Sequence, residues 1–243
     1  MKNADELNTR ELARLIIDFI HRIAIHHGMW FSEVQHQLGQ EKAQKIINEV
    51  YLQSYEVQIK RLSKILNFTL DDNNIPTSFL NSSREDLIKL KDNLATNWLA
   101  NDGIWFQAVE NTNGMFDAKR CNDSCWAQFS PFEALSIKKL LNLKENSGVD
   151  GLKNALNFRL YASINKQHIS EENEHSFVFS MSDCRVQSAR KRKGLEDYPC
   201  KSAGMVEYTT FASAIDQRIK TECIGCPPDK HPEEWYCSWR FSI

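Results

Sequence analysis

The residues best suited to chemistry crowd the C-terminal end of the chain. Five of the seven cysteines, Cys184, Cys200, Cys223, Cys226 and Cys237, fall in the last 60 residues. Cys223-Ile224-Gly225-Cys226 is a CxxC knuckle in which Gly225 allows the tight backbone turn between two ligands. A tetrahedral zinc site needs four soft or borderline donors at about 2.0–2.3 Å. One knuckle supplies two, and Cys200 and Cys237, at the edges of neighbouring elements, supply the others. Pro199 and Pro227-Pro228 stiffen the flanking backbone. The expected metal ligands are therefore Cys200, Cys223, Cys226 and Cys237, holding zinc in a closed site that serves stability and leaves no position for water. An iron–sulfur cluster is the alternative occupant of four thiolates. The opposing reading is five thiols acting as small core hydrophobes. Cys184 reads as such a core residue on a long strand, while Asp229 and His231, near the knuckle, are substitute ligands.

Compartment supports metal over disulfides. The cysteine count is odd, and the start, Met1-Lys2-Asn3-Ala4-Asp5-Glu6, lacks the basic-then-apolar signature of a signal peptide. The most apolar early stretch, Leu15 to Ile25, is broken by Asp18, His21 and Arg22, so no membrane span is expected. A cytoplasmic protein with reduced thiols is the reading. Thirty Lys+Arg against 32 Asp+Glu leave a net charge of −2, which argues against a nucleic-acid partner. The run Arg190-Lys191-Arg192-Lys193 is too short to change that and reads as a solvated turn.

The elements that must position these residues follow from periodicity. Residues 9–66 read as helices, with Leu12, Leu15, Ile16, Phe19, Ile20 and Ile23 at helical spacing, Thr9 as N-cap and Gly28 as a bend or end. A polar connector, 71–83, precedes a helix from Ser83 to about Trp98. From Gly103 the alternation of Ile104, Phe106 and Ala108 predicts a strand. Asn113-Gly114 then makes a hairpin turn and Met115–Cys121 the return strand. Further expectations are helices at 131–143, 149–156 and 203–215, and strands at 158–164, 176–190, 218–223 and 235–241. The fold class is α+β: N-terminal helices (1–98) followed by an antiparallel sheet with interspersed helices (99–243). The long apolar helices predict a homodimer.

The tail carries a resemblance. Cys184-Arg185, Pro199-Cys200-Lys201-Ser202-Ala203-Gly204, Glu222-Cys223-Ile224-Gly225-Cys226 and Tyr236-Cys237-Ser238-Trp239-Arg240-Phe241 resemble the C-terminal half of the 4-vinyl-reductase-like domain, a small-molecule-binding α+β fold. The resemblance implies a zinc ion held by cysteines and one acid. This chain has Cys223 at the acid's position and Glu222 beside it, so either is a ligand. The closing cysteine-then-aromatic strand is similar to the L-2-amino-thiazoline-4-carboxylic acid hydrolase family. The chain as a whole, with His27-Gly28-Met29-Trp30-Phe31, resembles a family of uncharacterised prokaryotic cytosolic proteins.

Three function classes result. The first is a sensor or carrier of a small apolar ligand, with a pocket lined by Trp105, Trp126, Phe158, Tyr161 and Phe179 and a structural zinc. The second, implied by the hydrolase resemblance, is an enzyme acting on a small cyclic amide or amidine, with Cys121, Cys125, His168 and His175 as candidate groups. The third is an iron–sulfur redox protein. Lesser motifs read as packing: Cys121-x-x-x-Cys125, and the face His26, Trp30, Glu33 and His36, whose single ExxH is half of what a carboxylate-bridged metal bundle needs.

Overall fold

The computed structural model describes residues 3–192, 194 and 197–243. Met1 and Lys2 of the expected non-signal start, and Lys193 of the basic run, lie outside the described residues. Contacts divide the chain into two compact units, Met1–Ser78 and Phe79–Ile243.

The first unit is a helical hairpin with a short tail. Helix α1, Thr9–Leu38, is capped one residue earlier than expected: Asn8 accepts from the N–H groups of Arg10 and Glu11, and the Glu11 carboxylate accepts from the Asn8 N–H. The helix runs through Gly28 without ending. Gly39, at φ 86°, stops it, a conformation open to a residue with no Cβ. Helix α2, Gln40–Leu66, returns along it until Asn67 turns left-handed. His27, Trp30, Phe31 and Val34 face Ala43, Ile46, Ile47 and Val50 across an apolar groove. The tail holds a Leu70–Pro76 bridge and the single turn α3, Thr77–Leu80.

The second unit combines helices with a four-stranded antiparallel sheet, so the α+β class stands. Helices α4, Arg84–Asn113, and α5, Met115–Leu140, form a second hairpin. This overturns the expected strands at 103–121. Asn113-Gly114 is a turn, but it joins helices: Gly114, at φ 88°, donates its N–H to the Glu110 carbonyl and terminates α4. A helix already nucleated at Ser83, whose hydroxyl accepts from the Asp86 N–H, propagates cheaply through three alternating residues. Pro131, expected at a helix start, lies inside α5 instead.

Helix α6, Gly148–Leu156, appears where expected. The expected strand at 158–164 is a 3-10 turn, Leu160–Ser163. Strands β1, Lys166–Asn173, and β2, Ser176–Asp183, pair antiparallel. The long strand expected to reach Arg190 ends at Asp183, because helix α7, Arg185–Arg192, begins there. At its start the Ser188 N–H donates to the Cys184 carbonyl and the Ser188 hydroxyl to the Asp183 carboxylate, both at 2.8 Å. Helix α8, Lys201–Ile215, leads to β3, Lys220–Gly225, and β4, Cys237–Ser242. The strand order is β1-β2-β4-β3.

Period-2 alternation sends Phe177, Phe179 and Met181 of β2, and Cys237, Trp239 and Phe241 of β4, to one face. There they bury against Leu152, Leu156, Phe211 and Ile215. Each such side chain removed from water contributes about 1.5–3 kcal/mol. A buried ion cluster ties the helices to this core. Arg159, 2% exposed, donates from Nε to Glu133 Oε2 (2.9 Å) and lies 2.7 Å from Glu207 Oε1. Glu133 Oε1 also accepts the Leu160 N–H, at 2.9 Å. Among the described residues no helix is long and apolar enough to cross a membrane.

Candidate functional site

The functional residues of the second unit converge on a cavity of about 440 Å³. Helices α4 and α5 supply one wall, with Asp102, Phe106 and Trp126; α7, α8 and the ends of β2 and β4 supply the other, with Tyr208 and Trp239. Tyr161, carried by the 3-10 turn, stacks on Trp126 at 5.5 Å between ring centroids and 13° between planes. Trp98 meets both edge-on, so the aromatic wall is rigid. A smaller cavity of about 410 Å³ adjoins it and shares Asp102 and Trp126.

The expected pocket residues are dispersed. Trp126 and Tyr161 line the main cavity. Trp105 lines the adjoining one and is 61% exposed. Phe158, 52% exposed, and Phe179, 1% exposed, line neither; Phe179 is core, on the inner face of β2.

Acidic groups stand in apolar surroundings. Burial raises the Asp102 carboxyl above the usual range. Burial likewise raises Glu207, opposed by the adjacent Arg159 guanidinium and reinforced by Glu133. The Tyr161 and Tyr208 phenols are held neutral first by burial and then by the Glu207 charge. Tyr198 Oη and Trp239 Nε1, both on cavity residues, are buried with no hydrogen-bond partner.

Sulfur lines the far end. Cys200 and Cys237 lie against Cys226, and these contacts, with burial, hold the Cys226 thiol protonated. Cys184 joins them on the cavity wall, its thiol pushed up to about 12 by burial, with the Cys200 and Cys237 sulfurs adding to the rise. The Gln187 side-chain amide donates to Cys200 Sγ at 3.0 Å. In the packing seen, no three His, Cys, Asp or Glu side chains among the described residues are arranged to hold a metal ion.

Of the expected ligands, then, Cys200, Cys226 and Cys237 come together on the cavity. Cys223 lies on β3 opposite Trp239, outside the cavity lining, beside the Lys201–Asp229 ion pair. Glu222 points to the other face of the sheet, 2.8 Å from Arg240 Nη1. Asp229 is paired with Lys201 at 2.8 Å, and His231 Nε2 lies 3.0 Å from Asp197. Neither substitute ligand is free.

The other candidates lie apart. Cys121 and Cys125 are exposed, one turn apart on α5 at the adjoining cavity. His168 and His175 are exposed and line neither cavity. His26, Trp30, Glu33 and His36 all belong to α1 in the first unit.

Sequence reasoning missed Cys184, Asp102, Gln187, Arg159 and Glu207. One signal was available: Cys184-Arg185-Val186-Gln187 has the spacing of a capping box, with cysteine in place of Ser or Thr.

The family described as of unknown function, DUF6125, matches residues 80–243. The chain belongs to that family. The match coincides with the second compact unit and takes in both cavities and all seven cysteines. No curated protein and no solved structure matches the chain.

Proposed function

We propose that the family unit, residues 80–243, binds a small, largely apolar ligand in the main cavity, and that the cysteines on the cavity wall hold a structural zinc ion. The observation that carries the reading is one void lined by stacked aromatic rings on one side and by four cysteines, Cys184, Cys200, Cys226 and Cys237, on the other. Concave, mostly apolar sites with a few placed polar groups are the common form of ligand pockets. Asp102 supplies such a group on the cavity wall, its carboxyl raised by burial. The thiols supply a donor set chemically suited to zinc. A reducing, cytoplasmic setting keeps such thiols available. The first unit serves assembly in this reading, as the interface of a homodimer.

The hydrolase reading has less support, since its histidine candidates lie outside both cavities. The iron–sulfur reading uses the same sulfurs, and the colour of the purified protein separates it from zinc.

The cavity is tested with 8-anilino-1-naphthalenesulfonate as probe. Gly103 lines the cavity inside α4, and a Cβ there meets nothing within 4 Å. Gly103→Trp therefore fills the void without a clash at its root. Saturable dye binding in the wild type, lost in Gly103→Trp at unchanged melting temperature, supports the reading. Dye binding that is unaffected by the substitution contradicts it.

A further inference from the structure

Resting on the zinc half of that reading, we propose that the ion is bound by Cys184, Cys200, Cys226 and Cys237, with Cys223 outside the site, so that the metal forms part of the ligand cavity's wall. Placement is the first argument. The four sulfurs come from four separate segments, at the end of β2, the start of α8, just after β3 and the start of β4, yet all line one cavity. Cys223 does not. It is held in register opposite Trp239, with Lys201, Asp229 and the Cys237 sulfur nearby.

The second argument is what surrounds the sulfurs. Metal-bound thiolates are strong acceptors, and their supporting hydrogen bonds are part of a working site. Cys200 receives the Gln187 amide at 3.0 Å. Gln187 is 1% exposed, and its own orientation is fixed by Tyr198: its Nε2 donates to the Tyr198 carbonyl and its Oε1 accepts the Tyr198 N–H, both at 2.8 Å. Gln187 thus brings a fixed amide to Cys200 Sγ, while the Cys200 thiol itself donates to the Tyr198 carbonyl at 3.2 Å.

The third argument is charge. Four thiolates on one divalent ion carry a net double negative charge. Helices α7 and α8 begin next to Cys184 and Cys200, so the positive ends of two helices lie beside two of the sulfurs. In the packing seen no three of these sulfurs surround one point, so binding an ion requires a change of side-chain rotamer.

The test uses cobalt(II) on the reduced full-length chain. The triple variant C121S/C125S/C223S retains four of the seven cysteines, those proposed as ligands. One cobalt per chain, with sulfur-to-cobalt charge-transfer and tetrahedral d–d bands equal to the wild type's, is the result expected for this variant. Adding Cys184→Ser should remove about a quarter of the charge-transfer intensity and weaken binding at least about tenfold. Diminished bands in the triple variant, or unchanged bands after Cys184→Ser, overturn the ligand assignment and leave the zinc reading standing. A wild-type chain that binds no cobalt overturns both.

Discussion

The two compact units bury their apolar residues very differently. In the first, two helices of 30 and 27 residues contain only Ala43 and Gln44 as fully buried positions among the described residues. Along α1, Ile16, Ile17, Ile20, Ile23, Met29 and Trp30 are all more than half exposed. In the second, Phe177, Phe179, Phe211, Trp239 and Phe241 are sealed in one core, and an ion cluster packed against Phe211 is itself buried. One unit builds a sealed apolar core, though Ile104, Trp105, Phe116 and Leu140 stay exposed on it. The other displays its apolar side chains along a stripe whose coverage by a second copy is the proposed homodimer. The family match follows the same division, since it covers the unit with the core and the cavity.

The largest expected effect lies in the second unit. Arg159→Ala leaves Glu133 and Glu207 buried without their cation, and urea unfolding should show a loss of about 3–5 kcal/mol. A loss below 1 kcal/mol, the range of surface changes, would mean the cluster is hydrated and the contrast overstated.

Next comes Asp216, which closes the same unit. Its carboxylate pairs with Arg218 Nη2 at 2.6 Å and accepts the Gly148 N–H at 2.9 Å, and the Arg218 hydrogen bond leads the causes that hold it well below the usual carboxylate range. A depressed folded-state pKa means the stabilisation is present above the unfolded value, about 3.9, and is lost as pH falls through the folded one. Asp216→Asn should cost about 2 kcal/mol at neutral pH and flatten the acid limb of the stability profile. An unaltered acid limb would remove Asp216 from the account.

The first unit should respond in assembly. Ile20→Glu with Ile23→Glu should lower the mass in light scattering from dimer to monomer with the second unit's unfolding midpoint unchanged. A wild-type monomer at micromolar concentration would break the proposed role of the stripe.

The smallest effects are two glycines. Gly28 and Gly103 lie inside long helices, and a Cβ at either meets no atom within 4 Å. Alanine at each should stabilise by about 0.5–1 kcal/mol. A gain confined to Gly103→Ala would show that α1 contributes little to the measured unfolding.

What the sequence revealed follows the range of the forces involved. Strands β3 and β4, helices α6 and α8 and the helical N-terminal region were legible, because alternation or helical spacing continued over a whole element. The hairpin α4–α5 was not. Ile104, Phe106 and Ala108 alternate locally, but cooperativity set by the Ser83 cap and the stop at Gly114 decided the segment. The same scale governs the site. Cys200, Cys226 and Cys237 were identified because spacing and flanking prolines mark them. Cys184 was read as strand core, since α7 begins directly after it and its start leaves only a short mark in the sequence. Asp102 and Glu207 left no mark, because their surroundings are assembled from helices distant in the chain.

The most direct test is the metal content of untagged, reduced protein by elemental analysis, paired with a count of thiols that react under native conditions. The account predicts one zinc per chain, with Cys121, Cys125 and Cys223 reacting and the remaining four protected until a chelator is added. A folded, metal-free chain whose cavity thiols react no faster after chelator treatment would contradict it.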